Sequence, residues 1–305
     1  MDLFDHMQTF VRVVEAGSIT AAAESLEVAK SAVSRRLADL EARLGAQLFR
    51  RTTRRLSLTD TGQGYYERCI RILADVEEAE LSVAQAHGMV RGRLRVAMPL
   101  SFGLLHLGPA ITDFIQAHPQ VTFDLDFNDR HLDLLQEGFD VAIRIASLED
   151  STLIARPLAP IHHLVCASPG YLALHGVPAV PADLAAHTCL AYSNVRDPSV
   201  WRYVGPDGEK GSVKVATRLN ASNGDFLCAA AASGQGIVME PNFITHGYVE
   251  RGELVPILTD FTWPRLEAYA VYPQTRHVSS RVRAFVDFLV ERFAGVPYWD
   301  RCFAP

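Results

Sequence analysis

The feature that most constrains this chain is a set of three short apolar periods, each stopped within a few residues, inside its first 45 positions. Phe4, Met7, Phe10, Val11 and Val14 recur at helical spacing and halt at Gly17, where a glycine can enter the left-handed conformation that ends a helix. Ser18 can cap a second helix through about Leu26. Only Glu27, Val28 and Ala29 separate it from a third period, in which Val33, Leu37, Leu40 and Leu44 make a buried stripe ending at Gly45. Helices this short are stable only when their apolar faces pack, so the segment reads as a three-helix unit with a tight helix-turn-helix in it.

At 100° per residue Ser31, Ser34 and Arg35 fall off the buried stripe and can meet a partner. Next come Leu48 and Phe49, a tip of Arg50, Arg51, Thr52, Thr53, Arg54 and Arg55, and the alternating Leu56, Ser57 and Leu58, which together read as a β-hairpin wing. From Lys30 to Arg55 eight basic residues (Lys30, Arg35, Arg36, Arg43, Arg50, Arg51, Arg54, Arg55) face two acidic ones (Asp39, Glu41), a local charge of +6 in a chain whose total is −6. The remainder carries −12, the asymmetry of a polyanion-binding segment on an acidic body. Alone, such arginines would be a solvated loop; beside a helix-turn-helix they point to DNA. The first turns of a recognition helix enter the major groove, so Lys30, Ser31, Ser34 and Arg35 are the candidate readers of bases. Arg36 and the wing residues Arg50, Arg51, Thr53, Arg54 and Arg55 are the candidate backbone contacts, which position without reading sequence.

From Thr59 to about His87 a long helix is expected, along which Tyr65, Cys69, Ile72, Val76, Ala79, Val83 and Ala86 alternate by four and three. A heptad seam of three repeats favours pairing with a second helix and therefore dimerisation; packing of the same stripe within the chain is the alternative. Gly88 and Gly92 flank a break, after which strands (Leu94–Met98, Val121–Phe127, Val141–Ile145, Leu164–Ala167) alternate with helical stretches (Leu104–Ala117, Leu132–Glu137, Asp225–Ala232, Ser280–Phe293). That alternation predicts an α/β domain with a largely parallel sheet. The expected organisation is a winged helix-turn-helix at 1–58, a linker helix at 59–90 and an α/β domain at 91–305. The last divides into one subdomain of about 91–162 with 268–305 and another of about 163–267.

Asp2 and Asp5 stand where a signal peptide would be basic, and the uncharged stretch Phe226–Met239 is short and broken by glycine, so neither export nor membrane insertion is expected. Five scattered cysteines (Cys69, Cys166, Cys189, Cys228, Cys302) contain no Cys-x-x-Cys pair, which fits a reducing cytoplasm rather than a disulfide framework or zinc site.

The run Ser18-Ile19-Thr20-Ala21-Ala22-Ala23 through Ala32-Val33-Ser34-Arg35-Arg36-Leu37, then Leu40-Glu41, Leu44-Gly45-Ala46-Gln47-Leu48-Phe49-Arg50-Arg51 and Leu58-Thr59-Asp60-Thr61-Gly62, resembles the LysR-type transcriptional regulators. The resemblance covers nearly the whole chain and is most specific at its N-terminus. It implies a winged helix-turn-helix, dimers assembled into tetramers, and an effector domain of two subdomains shaped like a type 2 periplasmic binding protein. It also implies a double-stranded operator as partner, with RNA polymerase as a further one. Family members often carry Ser where this chain has Ala29 and Pro where it has Ser31; Ala29 cannot cap through its side chain, which leaves that role to Lys30 or Ser31.

In two-subdomain folds of this kind the ligand lies between the subdomains, beyond the carboxyl ends of the strands, where helix N-termini present amides. Ser101, Phe102 and Gly103 follow the first strand of the domain, Asn220, Ser222 and Asn223 precede a helix, and Arg144 lies near a strand end. They are the candidate effector-binding residues, and the expected effector is a small anionic or strongly polar molecule. Each serine or asparagine is equally a potential helix cap, and Arg144 a potential partner of Asp140. No cofactor, metal or catalytic residue is expected. His162-His163 lacks ligand spacing, and Gly205–Ser212 lacks the order of a phosphate loop and reads as a hairpin. The chain therefore reads as an effector-controlled DNA-binding regulator and not an enzyme. The competing readings are a regulator switched by oxidation of Cys228 or Cys69, and a bilobal solute-binding protein or enzyme, against which the first ninety residues argue.

Overall fold

A computed structural model describes residues 3–51, 56–84, 90–129, 137–146, 153–274 and 278–303. The chain forms two compact units, one of Met1–Met89 and one of Val90–Leu134 with Phe139–Pro305.

The first unit holds α1 (Leu3–Ala16), α2 (Ile19–Ser25), α3 (Lys30–Leu44), the antiparallel strands β1 (Phe49–Arg51) and β2 (Leu56–Leu58), and α4 (Asp60–Ala84). Ser18 caps α2 by accepting the Ala21 N–H, and Gly17 and Gly45 take the positive φ that stops α1 and α3. The apolar stripes meet in one core of Phe10, Val13, Val33, Leu37, Leu40 and Leu48, with the Phe10 ring edge-on to Phe49 at 5.4 Å. α4 contributes to this same core. Cys69 is completely buried in it, and Tyr65 and Tyr66 pack against it beside Phe10. The expected pairing seam is corrected at its start: Cys69 is buried in the chain's own three-helix core, and Tyr65, half-buried, packs against that core. Ile72 is exposed and Val76 half-buried. The side chains of Ala79 and Val83 lie outside the description, as does Ala86.

In the second unit a nine-stranded sheet carries β3 (Gly92–Met98), β4 (Val121–Phe127), β5 (Val141–Ala146), β6 (Leu153–Ala167), β7 (Thr188–Tyr192), β10 (Ala216–Ala221), β11 (Ile237–Pro241), β12 (Val255–Ile257) and β13 (Arg265–Pro273). β8 (Val200–Val204) and β9 (Lys210–Lys214) form the hairpin expected around Gly205–Ser212. The sheet is mixed rather than largely parallel. β4–β3–β5 and β10–β7–β11 are parallel triplets, but between them β6 and β13 run antiparallel to their neighbours. β6 is the shared strand. Leu153 to His162 pairs with β13, whereas His163 to Ala167 pairs with β11 and β12, so one strand belongs to both halves of the sheet.

Helices cover the sheet. The segment after β3 begins as a single turn Leu100–Phe102, widens into a π turn at Gly103–Leu107 and continues as α5 (Gly108–Ala117). α6 (Pro169–His175), α7 (Gly224–Ala232), α8 (Asn242–Glu250) and α9 (Ser280–Arg292) follow, and a terminal 3₁₀ turn, Tyr298–Phe303, buries Trp299. The helix expected near Leu132–Glu137 falls almost wholly outside the described residues. Among the described residues no helix is long and apolar enough to cross a membrane.

Candidate nucleic-acid interface and effector cavity

α3 separates its duties by face. Val33, Leu37 and Leu40 are buried, while Lys30, Ser31, Ser34 and Arg35 are exposed on its first two turns. Ala29 occupies the cap position in extended backbone and makes no side-chain cap bond, and α3 begins at Lys30 all the same. Arg36, expected to hold a DNA phosphate, is instead half-buried, and its Nη1 donates 3.2 Å to Thr9 Oγ1 on α1. The bond ties α3 to α1. Arg50 is exposed and lies 3.4 Å from the Asp60 carboxylate. The side chain of Arg51 and the residues Thr53, Arg54 and Arg55 lie outside the described residues.

Two supports of this surface escaped the sequence reading. Glu41 turns from α3 to accept the backbone N–H groups of Leu48 (2.7 Å) and Phe49 (3.3 Å), fixing where the wing departs. Gly62 sits so close to the wing that a Cβ would lie 2.0 Å from the Leu48 carbonyl oxygen; Thr59 caps the turn by accepting the Gly62 N–H. The Thr59-Asp60-Thr61-Gly62 motif is thus a joint between wing and linker helix.

The second unit contains a cavity of about 300 Å³, bordered by both halves of the sheet and their loops. Volumes of this order suit a small organic ligand. Of the seven candidate effector residues, Ser101 and Arg144 line it. Phe102 is a correction: it is fully buried in the core, edge-on to Phe243 and Trp299. Gly103 is another, since it is buried where a Cβ would press on Met98 and Phe127. Asn220 and Ser222 are exposed and border no part of the cavity. Alternation along β10 points Asn220 to solvent. Asn223 caps α7 by accepting the Phe226 N–H at 2.9 Å and donates to Ser101 Oγ at 3.3 Å.

The amides expected to await an anion are already engaged. The Leu100 N–H, at the helix start, donates to Asp129 Oδ1 at 3.1 Å, and Ser101 Oγ is hydrogen-bonded to the Asp225 carboxylate. A third carboxylate, Glu240 of β11, lines the cavity and is 2% exposed. Burial, reinforced by the charges of Asp225 and Asp129, pushes its carboxyl up to about 8. Asp129 is raised in turn, chiefly by burial and further by Asp225. Sequence inspection missed this cluster because its members come from a loop, a helix start and a strand of the two halves. His163, set aside as structural, borders the cavity while its Nδ1 bonds the Pro264 carbonyl oxygen at 2.9 Å. Cys228 is fully buried, and burial followed by nearby Glu240 holds its thiol well above the ordinary range.

The chain matches two family models, the bacterial regulatory helix-turn-helix of the lysR family over residues 4–63 and the LysR substrate binding domain over residues 87–294. It is 37% identical to the HTH-type transcriptional regulator CrgA of Neisseria meningitidis serogroup C, covering 94% of this chain and 96% of that one. An uncharacterized HTH-type transcriptional regulator of Haemophilus influenzae is 35% identical, covering 92% of this chain and 98% of its own. Among solved structures it resembles CrgA of Neisseria meningitidis (TM-score 0.62, 36% identity, 95% of this chain and 99% of that one). It also resembles the full-length Vibrio cholerae virulence activator AphB (TM-score 0.62, 27% identity, 96% of this chain and 100% of that one).

Proposed function

The chain belongs to the LysR family of bacterial transcriptional regulators, and from that premise we propose that it reads a duplex operator through Lys30, Ser31, Ser34 and Arg35 and is controlled by a small polar molecule in the cavity of its second unit. The observation that carries the reading is the division of α3: one face is wholly spent on the core, and the opposite face, at the helix start, is exposed and polar. Arg50 and the wing hold the phosphate backbone, which gives affinity and salt dependence without sequence preference. Arg144 faces an anionic or polar part of the effector. The exposed Ile72 and the half-buried Val76 continue the α4 stripe past the core-facing Cys69, and this part of the helix supports a dimer, the unit from which a dimer of dimers is built. The protein acts by binding, with no chemistry on its ligand.

Cysteine oxidation is the weaker reading, because the thiolate is the reactive form and both Cys69 and Cys228 are held protonated by burial. The test starts from DNA fragments captured by the purified full-length chain, which yield an operator for fluorescence anisotropy. Loss of sequence discrimination in Arg35→Ala with folding intact supports the reading; unchanged discrimination in both Ser34→Ala and Arg35→Ala refutes it. Val76→Asp should separate the dimer in light scattering and abolish binding to a two-half-site operator.

A further inference from the structure

We propose that the carboxylate-lined end of the cavity receives a protonated amine, so that the effector is a small ammonium-bearing molecule rather than a simple anion. This rests on the reading of the cavity as the effector site and names the chemistry of its ligand. Two carboxylates line this end, Asp129 beyond β4 and Glu240 on β11, and a third, Asp225 in the first turn of α7, is bonded to the lining Ser101 and acts on both. Two of them have partners. Asp129 accepts the Leu100 N–H and Asp225 the Ser101 hydroxyl. Glu240 differs, being 2% exposed, bordering the cavity, and leaving its buried Oε1 without any hydrogen-bond partner.

A buried polar atom left unpaired is costly and is kept where something fills the vacancy. Once Glu240 is ionised, the unmet capacity is an acceptor. Two donors nearby are committed, the Asn223 amide donating to Ser101 Oγ and the Ser101 hydroxyl to Asp225. An ammonium brings three donors, no acceptor and a positive charge, which answers the orphan oxygen of Glu240 and is favoured by the nearby charges of Asp129 and Asp225. A carboxylate ligand would add a further negative charge near Asp129 and Asp225. A metal ion is the other cation to consider, but among the described residues no three His, Cys, Asp or Glu side chains are grouped to hold one. Gly224, the first residue of α7, also lines the cavity and leaves room for the Glu240 carboxyl: a Cβ there would meet Glu240 Oε2 at 2.5 Å.

Binding carries a proton signature. Unliganded Glu240 is protonated near neutral pH because burial, and then the charges of Asp225 and Asp129, raise its carboxyl; Cys228 on α7 and Tyr192 on β7 feel its charge in turn, and His163 and Cys166 stand on β6, the strand paired with β11. When an alkylammonium docks, Glu240 gives its proton to the buffer and the resulting carboxylate pairs with the ammonium, whose own protons stay in place.

The experiment uses the full-length chain at pH 7 and three probes of one skeleton: n-butylamine, 1-butanol and butyrate, followed by saturation-transfer NMR and by calorimetry in two buffers of different ionisation heat. Expected are tightest binding by butylamine, release of up to about one proton per amine bound, and a weakening of about ten- to a hundredfold in Glu240→Gln, the span of one charge-assisted hydrogen bond. Butanol binding should be unmoved by that substitution. Asp129→Asn, which leaves Glu240 in place, should weaken butylamine by less. Butylamine affinity and proton release unchanged in a folded Glu240→Gln protein overturn the proposal. Tightest binding by butyrate, abolished in Arg144→Ala, overturns it while leaving the cavity as the effector site. Binding by none of the three overturns both.

Discussion

The two units handle charge in opposite ways. The N-terminal unit places its cations outside, with Lys30, Arg35 and Arg50 exposed around a core of Phe10, Val33, Leu37 and Leu40. The C-terminal unit turns anions inward, burying Glu240 beside Asp129 and Asp225. A surface charge is solvated and costs little, so these exposed residues can change without disturbing the fold. A buried, unpaired carboxylate is held against the interests of stability. On the proposed reading, function and stability reside in different residues in the first region and compete within the same side chain in the second.

The comparison can be broken most sharply at Phe10. Phe10→Ala should cost the first unit about 3–5 kcal/mol, because a fully buried ring leaves a cavity among Phe49, Tyr65 and Tyr66. Operator binding should fall with the fraction folded, whereas unfolding of the second unit, followed by Trp201, Trp263 and Trp299 fluorescence, should stay where it is. A shift of both transitions would mean that the units do not fold independently.

A somewhat smaller effect is expected at Glu240. Its carboxyl titrates near 4.5 when unfolded and about 8 when folded. Between those values the folded chain keeps a proton that the unfolded chain has lost, so stability contributed by this site falls as pH rises from about 4.5 to about 8. The slope is at most about 1.4 kcal/mol per pH unit, levelling above that window. Glu240→Gln removes this slope, and urea unfolding at pH 5 and pH 8 should show the variant gaining on the native chain by a few kcal/mol at the higher pH. Parallel curves would mean that Glu240 is not buried in competition with stability.

On the DNA side, Arg35→Ala should lose about 1–3 kcal/mol of discrimination at one base pair, with an unchanged melting temperature. A loss of stability instead would show that this face, too, mixes function with folding. The smallest effect is expected at Ala29. The α3 cap position has suitable extended backbone but no capping side chain, so Ala29→Ser should stabilise the first unit by about 1 kcal/mol. Calorimetry that finds no gain would indicate that Lys30 or Ser31 already serves the helix start.

Much of the first unit was legible because its determinants are local. The stops at Gly17 and Gly45, the Ser18 cap and the stripe Val33–Leu37–Leu40 depend on neighbours within a few residues, and 3.6 residues per turn assigns each side chain a face. Which stripe meets which partner is not a local matter. The α4 seam looked uniform along its length, yet Tyr65 and Cys69 close the chain's own core and only later positions remain to pair.

The amino-acid sequence alone determined that this chain carries a basic helix-turn-helix with a wing and an α/β domain, since helical and strand periods and the +6 segment are written in consecutive residues. It also supplied Ser101 and Arg144, which border the cavity. Only the tertiary structure decided that Phe102 and Gly103 belong to the core, that Arg36 is tied to Thr9, and that β6 and β13 make the sheet mixed. It alone brought Asp129, Asp225 and Glu240 together. The physical reason is that Asp129 lies about a hundred positions before Asp225 and Glu240 and meets them through strand crossovers, and no period in a sequence encodes the burial or mutual repulsion of groups that become neighbours only when the sheet is assembled.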